Sequence, residues 1–204
     1  FDGVEVHAAH GYLIDQFFWE ATNLRDDAYG GSLEARARFA VDIVRAIRAA
    51  TAPDFPILLR FSQWKLQDYH ARPWPTPQAL ETFLGLFVDA GVDIFDCSQR
   101  YFWTPEYEGS DLNLAGWARK LIGKPTISVG SVTLKGDFME ALVQGVPGAF
   151  RGIDDLAERM ERDEFDLIAV GRALIANADW ADKVRDGRLP ELVPFDRAML
   201  AELQ

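Results

Sequence analysis

The chain has 204 residues, enough for one domain, and 49% of them are apolar, enough to bury a sizeable core. Acidic residues (32) outweigh basic ones (21), and the formal charge of −11 disfavours nucleic acid or an anionic membrane as partner, though not a local basic pocket for a phosphate. Cys97 is the single cysteine, which excludes an internal disulfide, and no signal peptide or run long enough for a membrane span is visible, so a cytoplasmic protein is expected.

Val4 to Gly11 reads as a strand and its tight exit, with His7, His10 and Tyr12 crowded at its end. Leu13 to Trp19 is apolar enough for one or two helical turns, and Asn23 to Gly31 is a loop. Ser32 then caps an amphipathic helix, Leu33 to Ala50, whose Phe39, Ile43, Val44 and Ile47 recur at spacings of three and four. Phe55 to Ser62 is a strand with almost no alternation, as expected of a parallel strand covered on both faces, and it carries Arg60 near its end. A loop, Gln63 to Pro75, holds Trp64, Tyr69, His70, Arg72 and Trp74. Thr76-Pro77 opens a helix, Gln78 to Ala90, which Gly91 closes.

Val92 to Cys97 is the next strand, followed by a second aromatic loop, Tyr101 to Tyr107. A helix, Leu112 to Ile122, has Asp111 or Asn113 near its cap. Pro125 to Gly130 is a fourth strand with Ser131 at its mouth. Helices are expected over Lys135 to Val143 and Ile153 to Asp163, with a loop between them. Phe165 to Arg172 is a fifth strand ending in Gly171-Arg172, and Trp180 to Gly187 is a closing helix with its glycine cap. Residues 1–187 thus form the folded unit, and 188–204 a polar tail with scattered apolar contacts.

Successive strand–helix units of this size make a doubly wound sheet or a (β/α)8 barrel. No G-x-G-x-x-G follows any strand, which favours the barrel. A TIM barrel needs eight strands and five are present. The chain also starts abruptly on a strand, so about three strands are expected upstream of Phe1.

In a barrel the C-terminal strand ends face one pocket. Here they carry His7 and His10, Arg60, Cys97, Gly130-Ser131 and Gly171-Arg172. Glycines that allow close backbone approach, together with a guanidinium, suit a phosphate. Two neutral imidazoles can each donate to one oxygen and polarise a carbonyl. Alternatively they could ligate a metal, but the possible third ligands Asp15, Asp96 and Cys97 stand at no familiar spacing. Tyr12 is placed to donate a proton. A metal-dependent hydrolase or lyase, or a barrel fragment that only binds phosphate, remain alternatives on these residues.

Three blocks resemble the old yellow enzyme family in order: His7-Ala8-Ala9-His10-Gly11-Tyr12-Leu13, Asn23 to Ser32, and Arg36-Ala37-Arg38-Phe39. Arg60, Gly130-Ser131 and Gly171-Arg172-Ala173-Leu174 continue the pattern. The resemblance implies strands four to eight of a TIM barrel that binds FMN non-covalently and takes hydride from NADH or NADPH. The substrate it implies is a small activated alkene. His7 and His10 then hold the substrate's carbonyl oxygen, Tyr12 protonates the α-carbon, and hydride reaches the β-carbon from flavin N5. Arg60 lies against the pyrimidine side of the flavin, while Gly130, Ser131, Gly171 and Arg172 hold its phosphate. The rest of the barrel would come from the same or another chain, and a homo-oligomer is possible. Ala35 and Asn177-Ala178 depart from the family pattern. No cysteine follows Cys97, so the iron–sulfur cluster of some relatives is not expected.

Overall fold

The computed structural model describes residues 1–136, 141, 143, 145 and 149–201. Five parallel strands lie side by side in chain order: β1 (Val4–His10), β2 (Ile57–Lys65), β3 (Ile94–Ser98), β4 (Thr126–Val129) and β5 (Leu167–Ala169). Helices α1 (Leu13–Phe18), α2 (Leu33–Ala50), α3 (Pro77–Ala90), α4 (Leu114–Ile122), α5 (Asp154–Glu161), α6 (Arg172–Ala176) and α7 (Trp180–Arg185) fill the connections. A parallel sheet ordered strictly in sequence, with helices between its strands, is an arc of a (β/α)8 barrel.

The helices begin and end where local chemistry dictates. Ser32 Oγ accepts from Ala35 N, Thr76 Oγ1 from Ala79 N, and Asn113 Oδ1 from Gly116 N, so three helices have a side-chain N-cap. Asn113, rather than Asp111, is therefore the cap of α4. Pro77 takes the first position of α3, and Gly91 ends that helix in the left-handed region at φ 104°.

The two faces of the sheet differ sharply. Val6, Ala8, Leu59, Phe61, Phe95 and Cys97 point to the helices and are buried. There they meet an aromatic core in which Trp74 stacks on Phe83 at 3.8 Å, with Phe18 and Phe87 edge-on to Phe83. The opposite face, which lines a barrel's interior, carries Glu5, His7, Leu58, Arg60, Ile94, Ile127 and Leu167, all partly or fully exposed.

At the N-terminal ends of the strands, Arg48 of α2 donates to the carbonyls of Ala52, Pro53, Phe55 and Gly91 and pairs with Asp93. Asp93 also accepts the Ile57 N–H at 2.9 Å. The arrangement recurs further on: Asp166 accepts the Thr126 N–H at 2.9 Å and pairs with Arg119 of α4.

The structure departs from the sequence reading in several places. β2 continues to Lys65 instead of stopping at Ser62, because it bulges against β1. β5 is only three residues long, and Arg172 opens α6 rather than ending the strand. The helix expected over Lys135 to Val143 falls largely outside the described residues. The tail is less polar in its contacts than its composition suggests: Phe195 is buried against Leu134 and Ala141. Asn177 pins it, donating to the Val193 carbonyl and accepting the Val193 N–H, both at 2.9 Å. Among the described residues no helix is long and apolar enough to cross a membrane.

Candidate active site

Parallel register sets His7, Arg60 and Asp96 in one row across β1, β2 and β3. One turn further, β1 shifts register and His10 adopts φ 64°, followed by Gly11 at φ 78°. A left-handed residue other than glycine costs about 1–3 kcal/mol, so the surroundings must enforce it. Ser62 Oγ accepts the His10 N–H at 2.9 Å, and Leu66 N donates to the His10 carbonyl at 3.1 Å. The strained turn swings the His10 imidazole beside His7, with ring centres 5.5 Å apart, and the Tyr12 ring lies 5.4 Å from His7. The structure thus brings together the three side chains singled out in the first strand.

Both imidazoles are neutral near pH 7. Burial, then the nearby Arg60 guanidinium, pushes His10 down to about 3 and lowers His7 as well. The Nε2 atom of His10 lies 2.7 Å from Ser98 Oγ, and its ring stacks on Trp64 at 4.4 Å. Trp64 stacks in turn on Tyr69, and Arg100 covers the Tyr69 ring at 4.7 Å. The first aromatic loop is therefore one wall of the site.

A cavity of about 390 Å³ runs from this wall along the strand mouths to β4 and β5. His10, Tyr12 and Arg60 line it on the β1–β2 side, and Gly130, Ser131, Gly171 and Arg172 on the other. Arg172 Nη2 donates to Ser131 Oγ and to the Gly136 carbonyl, both at 3.0 Å. Gly130 is required here: its φ is 145°, and a β-carbon would meet the Gln99 carbonyl at 2.7 Å. Gly171 faces open space. Phe195 and Leu200 of the tail also line the cavity.

A scan against protein-family models matches residues 1–191 to the NADH:flavin oxidoreductase / NADH oxidase family. The chain belongs to that family. It is 32% identical over 200 residues to an NADH oxidase of Thermoanaerobacter brockii, covering 94% of this chain and 27% of the relative. It is 33% identical over 186 residues to 12-oxophytodienoate reductase 2 of Arabidopsis thaliana, covering 88% and 42% respectively. Among solved structures, an old yellow enzyme from Pichia sp. AKU4542 superposes with TM-score 0.68 at 26% identity, over 98% of this chain and 46% of that one. The chain thus spans less than half the length of these relatives, in keeping with a partial barrel.

An NADH:flavin oxidoreductase implies FMN, and the cavity suits it. Gly130 and Gly171 permit close approach, and Arg172 with Ser131 offers a charged and a neutral hydrogen-bonding group. Arg60 lies between these residues and the histidines in chain order, and its Nε has no hydrogen-bond partner among the described residues. Its Nη1 is 3.2 Å from Asp96. Burial, with Glu5 adding to it, nonetheless pushes Asp96 up to about 7. The sequence-based metal reading finds its spare ligands committed elsewhere. Asp15 is paired with Lys65 at 2.7 Å, Asp96 with Arg60, and Cys97 is buried on the helix side.

Sequence reasoning passed over Ser98, a serine in a strand with no motif around it, and Lys65, which looked like a loop residue. It also passed over the joint between the two aromatic loops. There Glu106 is buried and bonded to Arg72 and Gln63. Burial pushes its carboxyl up to about 7 despite both partners. In the unfolded chain it ionises near 4.3, so between roughly pH 4.3 and 7 the fold binds the extra proton. Its contribution is complete below that window and is lost as pH rises through 7. Glu106→Gln should remove roughly 3 kcal/mol of this pH dependence, seen as a flatter plot of Tm against pH between 5 and 7.5.

Proposed function

We propose that this chain is the part containing strands four to eight of an FMN-dependent NAD(P)H oxidoreductase that reduces the C=C bond of α,β-unsaturated carbonyl compounds or similarly activated small alkenes. Residues 1–187 make the barrel segment and 188–204 the tail, and the remaining strands are supplied by the same or another chain. A cytoplasmic location accords with this chemistry. The observation that carries the reading is the imidazole pair of His7 and His10 beside Tyr12, with His10 and Tyr12 lining the cavity that also holds Arg60, Gly130, Ser131, Gly171 and Arg172. The similarity to a relative named 12-oxophytodienoate reductase 2 supports it.

Bound FMN would supply the hydride chemistry between nicotinamide and alkene. The residues of this chain bind, polarise and protonate. Arg172, Ser131, Gly130 and Gly171 would hold the phosphate, and the Arg60 guanidinium would stabilise negative charge on the flavin's pyrimidine side. Were Ser98 Oγ–H to donate to the Nε2 atom of His10, 2.7 Å away, the Nδ1–H would be left to donate to the substrate oxygen, joined by an N–H of His7. Both bonds strengthen as the oxygen gains enolate character, which lowers the barrier for attack at the β-carbon. The Tyr12 hydroxyl, half exposed, holds the proton for the α-carbon.

Full-length protein should purify with absorbance near 450 nm, bleach anaerobically with NADH or NADPH, and recover colour on addition of cyclohexenone. Purified protein that takes up no FMN, or reduced protein that no enone reoxidises, would overturn the proposal.

A further inference from the structure

The register shift that presents His10 leaves backbone groups outside the ladder. Between Ala8 and His10, β1 advances two residues while β2 advances from Phe61 to Lys65. Ser62, Gln63 and Trp64 are spread around the bulge. The Ser62 carbonyl and the Gly11 N–H lie beside this shift, in a buried region where an unpaired group is costly.

Each is met by one end of the same ion pair. Lys65 Nζ donates to the Ser62 carbonyl at 2.8 Å, and Asp15 Oδ2 accepts the Gly11 N–H at 2.6 Å. Lys65 and Asp15 join at 2.7 Å, with neither side chain exposed to any degree. Burial raises the Asp15 carboxyl and lowers the Lys65 ammonium, each opposed by its partner. Neither residue lines the cavity, so neither touches a ligand there. A buried pair is a poor stabiliser in its own right, because desolvation offsets the attraction. What this pair does is geometric: it closes the bulge from both sides of His10.

We propose that Asp15 and Lys65 are positioning residues for His10, clamping the Ser62 carbonyl and the Gly11 N–H so that the left-handed His10 holds its Nε2 against Ser98 Oγ. Ser62 completes the clamp, since its hydroxyl accepts the His10 N–H and donates to the Trp64 carbonyl at 2.8 Å, fixing the ring on which His10 stacks. The catalytic consequence rests on the proposed role of His10 as a carbonyl-binding group.

The test uses full-length protein with FMN bound and compares wild type, Lys65→Met, and the double variant Asp15→Asn/Lys65→Gln. The double variant keeps an acceptor for Gly11, a donor for Ser62 and a hydrogen bond between the two side chains, all without charge. Two readouts are taken: the imidazole ¹⁵N shifts of His10, which report its tautomer, and kcat and KM for cyclohexenone. Wild type should show His10 protonated on Nδ1. Lys65→Met should mix the tautomers and lower kcat about tenfold to a hundredfold with a smaller change in KM. The double variant should restore the Nδ1–H signal and bring kcat to within about threefold of wild type. Wild-type His10 signals and kcat in Lys65→Met would overturn the proposal, as would a folded double variant with a mixed tautomer. If Lys65→Met does not fold, the double variant decides between the same two outcomes. The tautomer is read without turnover, so a wild-type protein that reduces no enone would refute the proposed function while leaving the positioning role to be judged on its own signal.

Discussion

On the proposed function, replacing His10 with alanine should lower the rate at which cyclohexenone reoxidises the reduced full-length protein by about two orders of magnitude, while FMN stays bound. The size follows from the loss of one preorganised donor where negative charge develops, which costs about 10²- to 10³-fold in rate. The effect should fall on the hydride step, because His10 sits on the β1–β2 side of the cavity, apart from the Gly130, Ser131, Gly171 and Arg172 cluster proposed to hold the phosphate. In the proposed role His7 would share the oxygen, so removing both histidines should cost less than the product of the single effects, as for any two groups acting on one atom. Rapid-mixing absorbance at 450 nm measures the step directly. Reoxidation within threefold of wild type in His10→Ala would assign the histidines to structure instead. The rate should also be flat with pH across the neutral range as far as His10 is concerned, since its imidazole titrates near 3.

The second large effect concerns cofactor retention. Arg172→Ala should weaken FMN binding about tenfold to a hundredfold, the loss expected when a charge-assisted hydrogen bond worth about 1.5–3 kcal/mol is removed. Arg172 also braces the strand mouth through Ser131 Oγ and the Gly136 carbonyl. Arg172→Lys keeps the charge but loses the planar fork, and should fall between the two. Quenching of flavin fluorescence on titration into apoprotein gives the three affinities. Equal affinities for all three would remove Arg172 from the phosphate site.

Much of this was legible in the chain. Ser32, Thr76-Pro77 and Gly91 marked helix ends because capping is a local property of a few adjacent residues. The unalternating run Phe55 to Ser62 marked a strand, but it is covered on one face only: Leu58 and Arg60 lie on the other, partly exposed face. His7, His10 and Tyr12 stood out because they cluster within six positions. The bulge was not legible, since a register shift depends on the neighbouring strand and leaves no periodicity of its own. With it went Lys65, which local sequence leaves in a loop and the structure seals inside. Asp15 was noticed only as a possible third metal ligand at no familiar spacing; its partner Lys65 lies fifty positions away, beyond the reach of any spacing rule. The order in which His10, Trp64, Tyr69 and Arg100 stack is likewise set by how two loops meet in space, not by their composition.

The Arg48–Asp93 and Arg119–Asp166 clamps carry a broader implication. Both sit where strands begin, and each uses the same recipe: a helix arginine, an aspartate ahead of the next strand, and the N–H that opens the previous one. The opposite rim does not repeat this fastening: glycines recur at the mouths of β4 and β5, but His10 and Ser98 stand at those of β1 and β3. The strand starts are therefore tied by a fastening used twice, at the end of the sheet opposite the cavity. The opposite rim, where the cavity opens, can therefore be altered by exchanging the segments 66–75 and 99–112, which leaves both fastenings and the Lys65 clamp untouched.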